Sequence, residues 1–323
     1  MSRTGYSASG EPALRTASAG GVRPPRSDLA LLTLGVLCAS TAGPIVAMCG
    51  APALAIAFWR NGLGAVVVLP YTLVRHRREI ARTSARHLFL ALFAGALLAA
   101  HFAAYIPSLH LTSVASAVAL VCSQSVWVAL LSRMLGERLP PAGWAGIGVA
   151  LAGVLLVTGV DVSLAGQAPL GDILALLGGL FGGAYMVTGS RVRRWLSTPM
   201  YTAVCYGCCA VLLLVGCVLT GQPLGGYAAR DWALILALTL LAQLLGHSVF
   251  NKVLRSISPT VVAMATLFTV PLAAVLAALL VGQTPPPAAL PALGLLVSGI
   301  GLVIWARGRP ARDVSRRPQE VRR

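Results

Sequence analysis

The chain has 323 residues, of which 57% are hydrophobic and only 11% charged, and its mean hydropathy is +0.81. A soluble domain carries about 25% charged residues, so this inventory cannot cover a water-facing surface, and the length counts membrane spans instead of soluble domains. The net charge of +16 comes from 25 basic and 9 acidic residues. Its arginines flank apolar runs instead of clustering on one amphipathic element, which points to a lipid bilayer, and to no nucleic acid, as the partner.

Residues 1–27 are rich in Gly, Ser, Pro and Arg, lack apolar periodicity, and read as a disordered cytoplasmic tail. Ten apolar runs of membrane length follow, at approximately 29–48, 52–74, 88–107, 113–135, 141–159, 171–189, 200–220, 232–251, 259–282 and 287–306. The first reads as a span and not as a cleaved export signal, because it is long and many more follow it. Each run must be helical, since backbone amides in hydrocarbon are satisfied only within the segment and no alternating barrel pattern is present. Residues 307–323 form a second, basic tail. With the N-terminus in the cytoplasm, 23 of the 25 basic residues fall on the cytoplasmic side, leaving Arg230 in an outer loop and Arg60 inside a span. That asymmetry predicts both termini in the cytoplasm.

The seven cysteines lie within or beside apolar runs. Cys205 and Cys208 have the C-x-x-C spacing, but their segment offers no His, Asp or Glu, so with Cys209 they read as small packing residues. Neither a metal site nor a cofactor is predicted.

The second half repeats the first at an offset of about 146 residues. His101 matches His247, and the segment Gly136 to Val157 matches Gly282 to Val303, with Gly136/Gly282, Pro140/Pro286, Pro141/Pro287, Gly148/Gly294 and Gly153/Gly299 in register. Asp28 and Asp172 similarly open the first and sixth runs. Five spans per half is an odd number, so the second half enters the membrane with opposite polarity. The predicted class is an all-α integral membrane protein of ten transmembrane helices, built as two inverted five-helix repeats at 28–160 and 171–306. Such repeats place a substrate site near the midplane, between the halves, and permit alternating access.

At FWRN (58–61), HFAAYIPSLHLTSVASAVAL (101–120), LLSRMLGERL (130–139) and GHSVFNKVLRSISPTVV (246–262), the chain resembles the EamA family of the drug/metabolite transporter superfamily. The resemblance covers about 28–306. It implies a secondary transporter, commonly an exporter of amino acids, other metabolites or toxic compounds, with a central cavity lined by helices of both halves. Two departures stand out. Gly282-Gln283 replaces the usual Gly-Glu, and TLFTVP at 266–271 lacks an acidic residue that relatives often carry before the proline.

Ionisable groups inside a span are functional candidates by default. Arg60 lies roughly nine residues into the second run, about 13 Å along the axis, and reads either as an anion-binding group with Asn61 beside it or as a structural arginine bonded to carbonyls of a neighbouring helix. His101 with Tyr105, and His247 with Asn251, are i, i+4 pairs sharing a helix face, and Gln243 extends the second pair into a polar stripe. The histidines are expected on opposite sides of the midplane, as polar contacts or proton acceptors in the path, with interhelical packing as the competing role. Gln124, Trp59 and Trp127 are further candidates for the cavity wall. All nine carboxylates map to tails, loops or span ends, and Glu137 reads as an interfacial ion pair with Arg138 and Arg133. Gly178/Gly182 and Gly179/Gly183 are close-packing steps, while Gly43-Pro44, Pro70 and Pro271 interrupt spans.

The function these residues favour is export of a small metabolite, amino acid or drug-like compound, the small-molecule substrate itself staying unnamed. Two other classes stay open: a membrane-embedded sensor or scaffold, and an intramembrane enzyme, for which no paired aspartate or His-Glu-x-x-His site exists. No catalytic residue is predicted, and a homodimer stays open.

Overall fold

The computed structural model describes residues 25–137, 139–161, 166–283 and 289–308. Nearly all of both tails, Arg138 and the Pro286-Pro287 pair lie outside these residues, and so do the expectations attached to them. All regular structure among the described residues is helical. Eight helical units are long and apolar enough to cross a membrane: Arg26–Met48, Ala53–Arg75, Ala85–Leu111, Val114–Met134, Ala168–Val192, Thr198–Leu219, Ala229–Val253 and Pro259–Val281. Two more helices hold shorter apolar stretches, Pro141–Gly153 and Leu290–Val303.

Local chemistry sets where these units start and stop. The serines at 84, 113, 197 and 258 cap helices with side chains that accept from the amide three residues on, satisfying an amide that the helix itself leaves free. Gly136 and Gly282 follow two helix ends at φ 93° and 73°, the left-handed conformation that a side chain disfavours.

Four spans are not single α-helices. The first divides into α1 (Arg26–Ala39) and α2 (Ala42–Met48), and the interruption falls at Ser40, four residues before Pro44, whose ring displaces that carbonyl from the helical ladder. Pro271 acts alike on Leu267, between α13 (Pro259–Thr266) and α14 (Thr269–Val281). The gap between α6 (Val114–Val121) and α7 (Gln124–Met134) contains no proline. There the Ser125 hydroxyl donates to the Cys122 carbonyl at 3.1 Å, a side-chain bond that competes with the ladder. Between α11 (Ala229–Leu238) and α12 (Ser248–Val253), Thr239–His247 winds as a π-helix. The expectation that Pro70 interrupts its span is corrected: α3 (Ala53–Arg75) runs through it, with Thr72 Oγ1 donating to the Val68 carbonyl at 2.9 Å just beyond.

The remaining helices are α4 (Arg77–Arg82), α5 (Ala85–Leu111), α8 (Pro141–Asp161), α9 (Ala168–Val192), α10 (Thr198–Leu219) and α15 (Ala289–Gly308). α5 packs along α9, α8 along α15, and α10 along α3. Glycines permit these approaches. A Cβ on Gly146 would stand 2.6 Å from the Gly299 carbonyl, and one on Gly153 would stand 2.7 Å from the Ala292 carbonyl. On α9, Gly178 faces Tyr105, and Gly179 and Gly183 face the α6–α7 break, which is the close packing expected of them.

The ends of the bundle differ. At one, Glu79 Oε1 accepts the Ser197 amide at 2.6 Å, and Ser256 donates to Asp28 at 2.5 Å. Buried Arg193 there donates to the carbonyls of Asn251 and Leu196 and to Thr198 Oγ1. Burial alone would raise the Glu79 carboxyl, but Ser197 and His76 hydrogen bonds hold it below its usual range. Burial lowers the Arg193 guanidinium, reinforced by the charge of Arg255. At the opposite end Asp231 accepts the Gly50 amide at 2.9 Å, Gln283 accepts the Val114 amide at 3.1 Å, and Trp59 donates to the Leu224 carbonyl at 3.0 Å. Gln283 thus serves as a neutral acceptor at the start of α6. The seven cysteines are free thiols.

Candidate functional site

Where α3, α5 and α9 meet the interrupted spans, a cavity of about 80 Å³ opens. All three α-helix interruptions reach it, through Ser40, through Cys122 and Gln124, and through Thr266 and Thr269. The α6–α7 and α13–α14 interruptions bond each other across it. Gln124 Nε2 donates to Thr266 Oγ1 at 2.8 Å, and the Cys122 thiol lies 3.5 Å from both the Thr266 carbonyl and Thr269 Oγ1. Backbone released from a helix in hydrocarbon must find such partners, which is why irregular segments gather at a cavity.

Six of the predicted candidates line this space: Arg60, His101, Tyr105, Gln124, His247 and Asn251. Asn61 and Gln243 do not, and their reading as cavity-lining groups is corrected. Both are fully buried, behind Arg60. Gln243 Oε1 accepts from Arg60 Nε at 2.9 Å, Gln243 Nε2 donates to Asn61 Oδ1 at 2.8 Å, and Asn61 Nδ2 donates to the Ala57 carbonyl at 2.9 Å. Gln243 and His247 therefore diverge although they are four apart, because the π-helical turn between them is wider than an α turn. The Gln243 carbonyl, which accepts the Ser248 amide in the π-helical ladder, also accepts from Tyr206 at 3.1 Å.

Arg60 is 1% exposed. Its guanidinium carbon lies 4.2 Å from the centre of the Phe102 ring. A desolvated cation over an aromatic face gains about 2 kcal/mol and a charged hydrogen bond roughly 1.5–3, against several kcal/mol for taking the ion out of water. Nη2 has no hydrogen-bond partner among the described residues, nor is any carboxylate side chain among those that line the cavity. Among the described residues its one hydrogen bond goes to a glutamine side chain, and none goes to the backbone carbonyls of the alternative reading.

The two histidines, expected on opposite sides of the midplane, form one cluster with ring centres 6.2 Å apart. His101 Nδ1 is 2.8 Å from the Gly178 carbonyl. A carbonyl only accepts, so Nδ1 carries the proton and Nε2 is the acceptor of the neutral ring. Asn251 Oδ1 accepts from Tyr185 at 2.7 Å, while Asn251 Nδ2 is buried with no partner among the described residues. Phe102, Tyr185 and Thr266 belong to the site and were not singled out by sequence. Phe102 adjoins His101, but nothing in the order of residues says that its face meets an arginine 42 positions earlier. Trp59 lies at the bundle end, stacked edge-on against Trp232 at 5.0 Å, and Trp127 packs by Gly183; neither lines the cavity.

The chain resembles the uncharacterized inner membrane transporter YedA of Escherichia coli strain K12, at 25% identity over 188 residues that make up 58% of this chain and 60% of the relative. The same protein in two other strains of that species matches equally. The chain thus spans about three-fifths of the length of these curated relatives. A solved crystal structure of a protein at 20% identity superposes with a TM-score of 0.70, covering 87% of this chain and 98% of its own, and shares the fold. The profile of the EamA-like transporter family matches residues 27–159 and again residues 169–305. The chain belongs to the EamA-like transporter family, whose members are membrane transporters.

Proposed function

We propose that this chain is a secondary transporter that exports a small metabolite by alternating access, its two halves forming inverted five-helix repeats with both termini in the cytoplasm. The observation that carries the reading is the buried cavity at the junction of the interrupted spans, lined by ionisable and polar groups from both halves. A site between repeats, flanked by broken helices, is the arrangement that lets two halves rock about a bound solute.

Several features support the repeat. The family profile matches each half separately. The interruptions after Val121 and Thr266 recur at nearly the same offset as the left-handed glycines 136 and 282. An offset of 146 converts the Gly146 contact with Gly299 into a contact of Ala292 with Gly153, which is the second close approach of the α8–α15 pair. Pairs that exchange in this way are the mark of a two-fold axis. Orientation rests on charge: the described ends of the spans at Arg75, Arg133, Arg191 and Lys252 share one end of the bundle, and Arg230 lies at the other.

The test compares the medium of cells expressing wild type, the His101→Ala/His247→Ala variant, or an empty vector at equal membrane abundance. A compound enriched outside with wild type but not with the variant would support export through this cavity. Identical media from all three, across several growth conditions, would refute export.

A further inference from the structure

We infer that the cavity is a binding site for a small organic anion, a carboxylate on a largely apolar body with a second hydrogen-bond acceptor. This deepens the transport reading and rests on it. The charge at the site is one-sided: Arg60 is 1% exposed, and among the described residues its Nη2 has no hydrogen-bond partner and no carboxylate side chain lines the cavity. A second donor, Asn251 Nδ2, is likewise buried and unpartnered, and Asn251 lines the same cavity. Buried donors are normally satisfied. Two orphans at one cavity, one of them a cation, call for acceptors supplied by the cargo.

Neighbouring groups narrow the chemistry. The Phe102 face and the Gln243 side chain already occupy one ring side and Nε of the guanidinium, so Arg60 is fixed in place, with Nη2 left for a ligand. A planar carboxylate matches the guanidinium edge and makes short, charge-assisted bonds. Val118, Val121, Met186 and Leu254 supply apolar wall, which suits a hydrocarbon body. A cationic amine would meet Arg60 with no carboxylate to offset the repulsion.

The experiment uses purified full-length protein and three probes of one shape and different charge: benzoate, benzamide and benzylamine. Wild type is expected to bind benzoate at least about tenfold more tightly than either other probe. Arg60→Gln should abolish that preference, and Arg60→Lys, which keeps the charge but loses the fork, should retain part of it. 4-Acetylbenzoate, which adds a second acceptor, should bind Asn251→Ala more weakly than wild type, whereas benzoate should bind both alike. No measurable benzoate binding, equal binding of the three probes, or an undiminished preference in folded Arg60→Gln would each overturn the anion site. In parallel, compounds that wild-type cells release beyond the vector control should carry an anionic group. Release of neutral or cationic compounds alone would overturn the anion site and leave transport standing. Arg60-dependent benzoate binding without any released compound would uphold the site and count against export.

Discussion

Arg60 shows how much of the candidate site depends on residues that do not line the cavity. The side chain reaches the cavity in one orientation because Gln243 accepts from its Nε and Asn61 in turn accepts from Gln243. Gln243→Glu would place a carboxylate where the amide oxygen now stands, forfeiting the bond to Asn61, worth about 1 kcal/mol, and neutralising a buried cation whose isolation costs several. The second effect is larger. Gln243→Glu should therefore raise the melting temperature of the purified protein by a few degrees while lowering benzoate binding at least tenfold. A variant that melted lower and still bound benzoate as wild type does would show that Arg60 is not an uncompensated charge. Most of the polar residues around the cavity were legible in sequence, because an ionisable or amide group stands out in an apolar run. Whether each faces the cavity or supports a neighbour was not, since Gln243 and His247 share a spacing and separate only through the π-helical turn.

At the scale of elements, the closest approach is that of α8 and α15. A Cβ on Gly146 or Gly299 would lie 2.6 Å or 2.5 Å from the opposing backbone carbonyl, whereas Gly148 and Gly294 face open space. Gly146→Ala and Gly299→Ala should force the helices apart and lower melting temperature and monodisperse yield sharply. Gly148→Ala and Gly294→Ala should be neutral, or stabilise by up to about 1 kcal/mol through helix propensity. Size-exclusion chromatography with thermal unfolding separates the two classes, and equal behaviour of all four variants would contradict the crossing geometry. Sequence comparison brought out Gly148/Gly294 and Gly153/Gly299 as equally repeated pairs. Only Gly153 and Gly299 lie at the helix contact, because a repeat preserves register without saying which face is turned inward. Likewise Pro44 marked an interruption of the first span, but the break falls a turn earlier, at the carbonyl the ring displaces.

For the whole molecule, the proposed orientation rests on the unequal charge of the two ends. Cys208 is the one half-exposed cysteine among seven, the other six being buried, so engineered thiols report cleanly in a Cys208→Ser background. In intact cells a membrane-impermeant maleimide should label Gly225→Cys, in the loop before α11, and leave Arg78→Cys, in α4, unlabelled until the membrane is opened. The reverse pattern would invert the chain in the membrane and with it the sense of the proposed transport.

Composition and run length alone determined that this is a helical membrane protein, because apolar stretches near 20 residues have no other stable state in hydrocarbon. Charge placement and the repeated glycine, proline and histidine register carried the predicted topology, and the family resemblance was legible in four short segments. Only the tertiary structure decided that His101 and His247 form one cluster, that the broken spans bond each other at Gln124 and Thr266, and that Phe102 and Gln243 hold Arg60 beside a cavity with no carboxylate among its described lining residues. Those are contacts between residues separated by 42 to 183 positions, and packing between helices, not periodicity within them, sets which of these side chains meet.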